Sequence, residues 1–316
     1  MQTISILHPL TALILSPLLQ GIINRTKAFF AGRKGQPLLQ TYYDLARLFQ
    51  KTPVYSQTTS WIFRAGPLAG LASAITALLV LPIGGGAAMF NFTGDMIFLI
   101  YLLGVMRFFT VLAALDTGSA FEGMGASREV QFSVLAEPAL LLSLLAMGEI
   151  GEIALPAGIQ ENLPHLSLSG IYTSLSFSAW MHSGTVLLLA ASALLIVLLT
   201  ENSRIPVDDP TTHLELTMLH EVMVLDHSGP DLAMILYGAA IKLWIFSALL
   251  AGVLIPVRSG NFLLDGAATL GGIFLLAIGI GVIESSMARL RLLRIPQLLS
   301  GAGVLAILAL VLVLRG

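Results

Sequence analysis

The chain has 316 residues, of which 56% are hydrophobic and only 11% charged, and its mean hydropathy is +0.88. Soluble globular domains carry about 25% charged residues, so this composition excludes an ordinary water-soluble domain. The net charge of −2 says little about partners, and no nucleic-acid partner is expected. There is no cysteine, so any iron–sulfur cluster must be ligated by another polypeptide. The sequence predicts an all-α, polytopic membrane helix bundle that forms one domain over residues 1–316.

Eight apolar stretches are long enough to cross a bilayer, because a membrane-spanning helix needs about 20 residues. They lie at approximately 4–23, 62–82, 95–115, 130–149, 175–200, 231–256, 263–284 and 297–315. An even number of spans places both termini on the same side of the membrane. The loops on the opposite side are then expected at about 24–61, 116–129, 201–230 and 285–296.

Basic residues are distributed unequally between the two sides. Of the 16 Lys and Arg residues, twelve fall in or beside these four loops, two fall on the other side, and Arg107 and Lys242 fall inside spans. The positive-inside rule therefore assigns the four loops to the cytoplasm. We expect a multi-pass protein of the inner (plasma) membrane with both termini outside the cytoplasm.

Two of these loops contain a stretch with apolar residues at helical spacing. After Pro37, Leu38, Tyr42, Leu45 and Phe49 form such a stripe, and Pro is favoured in the first turn of a helix. A second stripe runs through 212–225. Both predict amphipathic helices that lie on the membrane surface, build a platform for a soluble partner, or do both.

The 116–129 segment contains three glycines together with acidic and basic side chains. One interpretation is a tight turn in which Ser127 caps the next helix; the other is a structured loop that carries charged groups to the membrane edge.

Farther along, His213, His220 and His227 recur every seven residues. Metal sites on one helix usually use i, i+4 spacing, so no metal site is predicted there.

Several ionisable residues fall within or at the ends of predicted spans, namely Arg107, Glu137, Glu201, Lys242 and Glu284. Such groups are costly in lipid and usually mark an ion path or pair inside the bundle. For Arg107, Glu201 and Glu284 the alternative is that the side chain reaches the headgroups. Pro138 frees the carbonyl of Val134 beside Glu137, which favours a buried carboxylate at a local helix defect, as a proton site requires.

Six stretches in matching order resemble one family of membrane proteins. They are RKGQPLLQTYYD at 33–44, LDTGSAF at 115–121, GASRE at 125–129, EP at 137–138, ENSRIPVD at 201–208 and SMARLR at 286–291. The family includes subunit 1 of respiratory complex I and subunit 4 of formate hydrogenlyase, also called hydrogenase-4 component C. The chain is more similar to the hydrogenase branch, particularly in its D-T-G-S, G-A-S-R-E and S-M-A-R-L-R segments.

The resemblance implies an eight-span, non-catalytic subunit that joins a cytoplasmic electron-transfer arm to antiporter-like, ion-pumping membrane subunits. It implies iron–sulfur clusters, and a NiFe centre in a hydrogenase, in the partner subunits and no redox centre in this chain. It assigns Arg33, Gln40 and Asp44 to the partner junction. It assigns eight residues to the ion path or its entrance: Asp116, Arg128, Glu129, Glu137, Glu201, Arg204, Asp208 and Glu215. Lys242 and Glu284 are added to the predicted ion path as ionisable residues of the spans.

One departure from the family concerns quinone. Complex I members tend to carry two further acids after the segment that reads Pro206-Val-Asp208 here, whereas this chain has Thr211 and His213. Quinone binding is therefore not expected, and the favoured function is ion-coupled energy conversion in a hydrogenase-type complex. The alternatives are a quinone-site subunit of an NADH dehydrogenase-like complex, a free-standing secondary transporter and a passive membrane anchor.

Overall fold

The computed structural model describes residues 2–153, 166–208 and 220–315, and these form a bundle of α-helices. The ten α-helices of the described residues are α1 (Gln2–Phe30), α2 (Gln40–Phe49), α3 (Trp61–Val80), α4 (Asp95–Asp116), α5 (Ala120–Ile153), α6 (Leu168–Ser174), α7 (Phe177–Glu201), α8 (Gly229–Leu254), α9 (Phe262–Ser286) and α10 (Ile295–Arg315). The prediction of a polytopic membrane helix bundle is confirmed.

Seven helices within the described residues are long and apolar enough to cross a membrane, and they coincide with the second to eighth predicted spans. The remaining predicted span, 4–23, lies within α1, whose first side chains fall outside the described part of the chain.

Side-chain caps fix several helix starts. The hydroxyl of Ser60 accepts the N–H of Ile62 at the start of α3, and the carboxamide oxygen of Asn261 accepts that of Leu263 in α9.

Helix α8 lies at the centre of the bundle. Its residues from Ala240 to Val253 are all buried within this chain, and it packs against α1, α3, α7 and α9. Helices α5, α7 and α10 pack on one another at one side, and α3 packs on α4. Because one helix contacts both groups, a polar side chain on α8 can reach partners from several spans.

Helix α1 contains Pro17, which lacks an N–H and leaves the carbonyl of Leu13 without its helical donor. The hydroxyl of Tyr237 in α8 donates to that carbonyl at 2.8 Å. The hydroxyl of Tyr42 in α2 donates to the next carbonyl, that of Ile14. Two neighbouring helices thus satisfy the backbone of α1 where its own hydrogen bonding is interrupted.

The cytoplasmic helix predicted after Pro37 is present as α2, with Leu45 buried. Its approach to α1 depends on Gly21, because a Cβ there would lie 2.0 Å from the carbonyl oxygen of Leu38. The second predicted amphipathic stretch, 212–225, lies mostly outside the described residues. Its described end forms a 3₁₀ turn at Glu221–Val224.

The glycine-rich 116–129 segment is mostly helical, which corrects the expectation of a loop. Only 117–119 separate α4 from α5, and Ser127 lies inside α5 rather than at its start. Packing explains the difference: Ala114 and Ala126 form a buried apolar cluster with Val222, Met223 and Val224. With 34 residues, α5 is about 51 Å long and exceeds the hydrocarbon core of about 30 Å.

Candidate functional site

Five charged side chains from four helices meet inside the bundle, and we call them the central charge cluster: Arg107, Glu129, Glu137, Glu201 and Lys242. Arg107 in α4 lies at the centre and forms ion pairs with Glu129, Glu137 and Glu201. The distance from its Nε to Glu129 Oε1 is 3.4 Å. Lys242 Nζ lies 2.8 Å from Glu201 Oε2.

The central charge cluster lies at membrane depth. Arg107 is nine residues from Asp116 at the C-terminal end of α4, and Lys242 is thirteen residues from Gly229 at the start of α8. At 1.5 Å per residue these positions are about 13 and 20 Å along their helices. Arg107, Glu201 and Lys242 have side-chain exposures of 8%, 5% and 9%, so they are paired within the bundle.

Glu137 differs from the expected buried carboxylate, because 42% of its side chain is exposed in this chain although it pairs with Arg107. Helix α5 turns the adjacent Val134 and Pro138 outward as well. Glu137 therefore forms the side of the central charge cluster that reaches the outer surface of the bundle.

A second charge cluster joins α1, α9 and the segment after α7. Glu284 is buried and pairs with Lys27, at 2.8 Å, and with Arg204, at 3.4 Å. Arg204 also donates a hydrogen bond to the side chain of Gln20. Glu284 and Arg204, both predicted at the ion path, are thus brought together, but in a group separate from Arg107.

Asp208 and Arg289 form a further ion pair, at 2.8 Å, beside this second cluster. His220 interacts electrostatically with Asp208 and also with Glu129, Glu201 and Lys242 of the central charge cluster. Burial lowers the pKa of His220 from its usual value. An imidazole outside the spans therefore lies between Asp208 and the central charge cluster.

The other predicted site residues that the structure describes are not among the ion-pair partners of Arg107. Asp116 accepts hydrogen bonds from the backbone N–H and hydroxyl of Ser60, at 2.7 and 2.8 Å, and so supports the start of α3. Arg128 donates to the sulfur of Met124 on its own helix. Glu215 lies outside the described residues. At the predicted junction, Gln40 donates to Asp44 within α2 at 2.8 Å, and Arg33 is exposed in the preceding turn.

Three partners in these networks were not singled out by sequence reasoning: Gln20, Lys27 and Arg289. Lys27 contributed only to the count of basic residues in the loops, Arg289 contributed to that count and to the SMARLR segment, and Gln20 is uncharged. Their proximity to the predicted acids depends on how the helices rotate against one another, for which one sequence carries no direct signal. Within the described residues, no group of three or more His, Cys, Asp or Glu is placed to hold a metal ion.

The fold and these networks define a polytopic membrane subunit with ion pairs buried between its spans. The model of the NADH dehydrogenase family matches residues 1–315, and the chain belongs to this family.

Two curated relatives from Escherichia coli K12 are each 31% identical to this chain. Formate hydrogenlyase subunit 4 matches over 93% of this chain and 94% of its own length. Hydrogenase-4 component C matches over 90% and 86%, respectively. Among solved structures, a chain of the membrane-bound sulfane sulfur reductase, an archaeal respiratory membrane complex, superposes with a TM-score of 0.77 at 21% identity, covering 98% of both chains. That likeness shows the fold alone.

Proposed function

We propose that this chain is the ion-translocating, coupling membrane subunit of a complex I-like oxidoreductase of the hydrogenase or formate hydrogenlyase type. The observation that carries the proposal is the central charge cluster, in which Arg107 is shared by three carboxylates at membrane depth. The relatives named for formate hydrogenlyase and hydrogenase-4 support the type of complex.

The charge balance of the cluster suits ion transfer. Two cations, Arg107 and Lys242, face three carboxylates, so the fully ionised cluster carries one excess negative charge. Uptake of one proton or one monovalent cation makes it neutral, and an uncompensated charge is costly at this depth. A redox event that displaces one partner of Arg107 thereby changes the affinity of the cluster for a cation.

The exposure of Glu137 supports a partner subunit within the membrane. A carboxylate at this depth does not face lipid by preference, because intramembrane acids turn toward the protein interior or toward water. Since 42% of the Glu137 side chain is uncovered in this chain, we assign the surface around it to an antiporter-like membrane subunit that continues the ion path.

The cytoplasmic side supports a second type of partner. Helix α2 presents Tyr43 and Phe49, each at least half exposed, next to exposed basic residues. We assign this surface, with Arg33, Gln40 and Asp44, to the junction with iron–sulfur and hydrogenase-like subunits. Those partners would hold the iron–sulfur clusters and the NiFe centre, and the quinone-site alternative has no specific observation in its favour.

The deciding experiment compares Glu137→Gln with Asp95→Asn in the assembled complex. Asp95 is likewise an acid on a spanning helix, but it is buried and accepts hydrogen bonds from Ser167 and the backbone of Leu168. Neither partner belongs to the central charge cluster. We expect Glu137→Gln to abolish redox-driven ion uptake into inverted vesicles while the subunits still co-purify. Asp95→Asn should retain ion uptake per assembled complex.

Unchanged ion uptake in Glu137→Gln would remove Glu137 from the mechanism. Double neutralisation of Arg107 and Glu201 with ion movement intact would instead favour a passive anchor, in which the buried charges only satisfy one another. Purification of the chain alone, with solute transport in liposomes, would favour a secondary transporter. Co-purification of iron–sulfur proteins would contradict that transporter function.

A further inference from the structure

A cavity lies between α1 and α9 at the ends of these helices opposite the Lys27–Glu284 ion pair. Its volume is about 160 Å³, close to the roughly 150 Å³ of an apolar cavity that accepts benzene. Its lining residues are His8, Thr11, Ile83, Leu263, Gly266, Ala267 and Leu270. Leu263 at its rim is 73% exposed, so the cavity opens at the surface of the bundle.

One polar group in this lining lacks a partner. The side chain of His8 is 95% buried, since only 5% of the residue is exposed, and its Nε2 atom has no hydrogen-bond partner. The imidazole also hydrogen-bonds to the backbone of Leu81. A neutral imidazole that donates to a carbonyl through one nitrogen has an acceptor at the other. The hydroxyl of Thr11 cannot fill this role, because it donates to the backbone carbonyl of His8 at 2.8 Å.

Gly266 lines the cavity and leaves room for a side chain. A Cβ built on Gly266 would meet no other atom within 4 Å, so a larger residue there would project into open space. The same is true of Gly271, which lies on the same helix but does not line the cavity. The two glycines therefore form a matched pair in which one substitution fills the cavity and the other does not.

We propose that this cavity is a binding site for an amphiphile that presents a hydroxyl group on an apolar chain, with the hydroxyl donating to His8 Nε2. Apart from this acceptor, the lining of Ile83, Leu263, Ala267 and Leu270 is apolar and suits a hydrocarbon chain. The volume holds only the end of such a molecule, and the rest would lie along the exposed apolar surface of α9. The hydroxyl belongs either to a membrane lipid headgroup or to a free long-chain alcohol.

The test uses the full-length chain in native membranes and a long-chain primary alcohol with a diazirine next to its hydroxyl. Its methyl ether, which cannot donate a hydrogen bond, is the control probe. We expect photolabelling of α1 and α9 around the cavity, with about fivefold stronger labelling by the alcohol than by the ether, as one buried hydrogen bond supplies. His8→Phe should retain labelling but abolish that preference.

Gly266→Leu should remove labelling by both probes, while Gly271→Leu should leave it unchanged. Equal labelling of the wild-type chain by alcohol and ether, or labelling that survives Gly266→Leu, would overturn the proposal. Competition distinguishes the two sources of hydroxyl. Displacement of the probe by phosphatidylglycerol but not by phosphatidylcholine assigns the site to a lipid headgroup, whereas displacement by the unlabelled alcohol alone assigns it to a free alcohol.

Discussion

Buried charge is stabilised differently at the two ends of this bundle. In the half that contains the central charge cluster, Arg107 and Lys242 pair with carboxylates from other helices. At the opposite end, Asp95 and Asp265 accept hydrogen bonds chiefly from uncharged donors: Asp95 from the backbone of Leu168 at 2.6 Å, and Asp265 from Ser259 at 2.7 and 2.8 Å. Neutral donors hold one carboxylate in one geometry, whereas a shared cation leaves several carboxylates in competition for it. The half with the shared cation therefore has the arrangement that the proposed ion exchange requires.

The largest effect is expected from breaking the charge pairing at Glu201, the most buried acid of the central charge cluster. Glu201→Gln leaves Arg107 and Lys242 deprived of their common carboxylate, and removal of one partner from a buried pair costs about 3–5 kcal/mol. Thermal unfolding of the purified chain in detergent measures this loss. The double variant Glu201→Gln with Lys242→Met should be more stable than the sum of the two single changes predicts. Simple additivity would contradict direct coupling of the two residues.

The buried imidazole of His227 has no compensating charge, and the pH dependence of stability that it causes can be compared with the effect of the paired charges. His227 stacks on Phe63 with ring centroids 3.9 Å apart, and burial lowers its pKa to about 4. Because the unfolded chain takes up this proton near pH 6.5, stability should be unaffected above pH 6.5 and fall as the pH decreases toward 4. The loss should reach up to about 3 kcal/mol.

The measurement is the free energy of unfolding of the purified chain in detergent as a function of pH. His227→Phe keeps an aromatic ring against Phe63 but removes the titrating group, so its stability should change less between pH 6.5 and 4. An identical pH profile in the two proteins would exclude His227 as the cause.

A smaller effect is expected at the opposite end. Asp95→Ala leaves the buried N–H of Leu168 without its acceptor, which costs about 1–3 kcal/mol. Thermal unfolding should show this loss, and ion uptake per assembled complex should stay at the wild-type level. If Asp95→Ala lost ion uptake but kept normal thermal stability, the two ends of the bundle would not differ in the way proposed.

The smallest effect is expected at Asp116, which was predicted for the ion path but hydrogen-bonds to Ser60 at the start of α3. Asp116→Asn keeps an acceptor oxygen, so the change in stability should stay within about 0.5–1 kcal/mol. Ion uptake that remains normal would assign Asp116 to helix capping. A loss of uptake comparable with that of Glu137→Gln would return it to the path.

The sequence predicts the spans well, because a span is recognised from the hydropathy of a continuous stretch of residues. Seven predicted spans coincide with helices that are long and apolar enough to cross a membrane. It also identifies the depth of Arg107 and Lys242. Their partners were not predictable, because Arg107 and Glu201 are 94 residues apart and meet only through the rotation of α4 and α7. The helical start of α5 was missed for a similar reason. Its glycines favour a turn, but packing of Ala126 against Val222 and Met223 stabilises the helix.

The proline in α1 has a mechanical consequence. Tyr42 and Tyr237 hold adjacent carbonyls at the turn that Pro17 interrupts, so the surface helix α2 and the central helix α8 are tethered to one turn of α1. A sideways displacement of α2 cannot occur without straining that turn or releasing a tyrosine. Because Tyr237 lies five residues before Lys242 on α8, the tether gives a short route for force from the surface that carries α2 to the middle of α8.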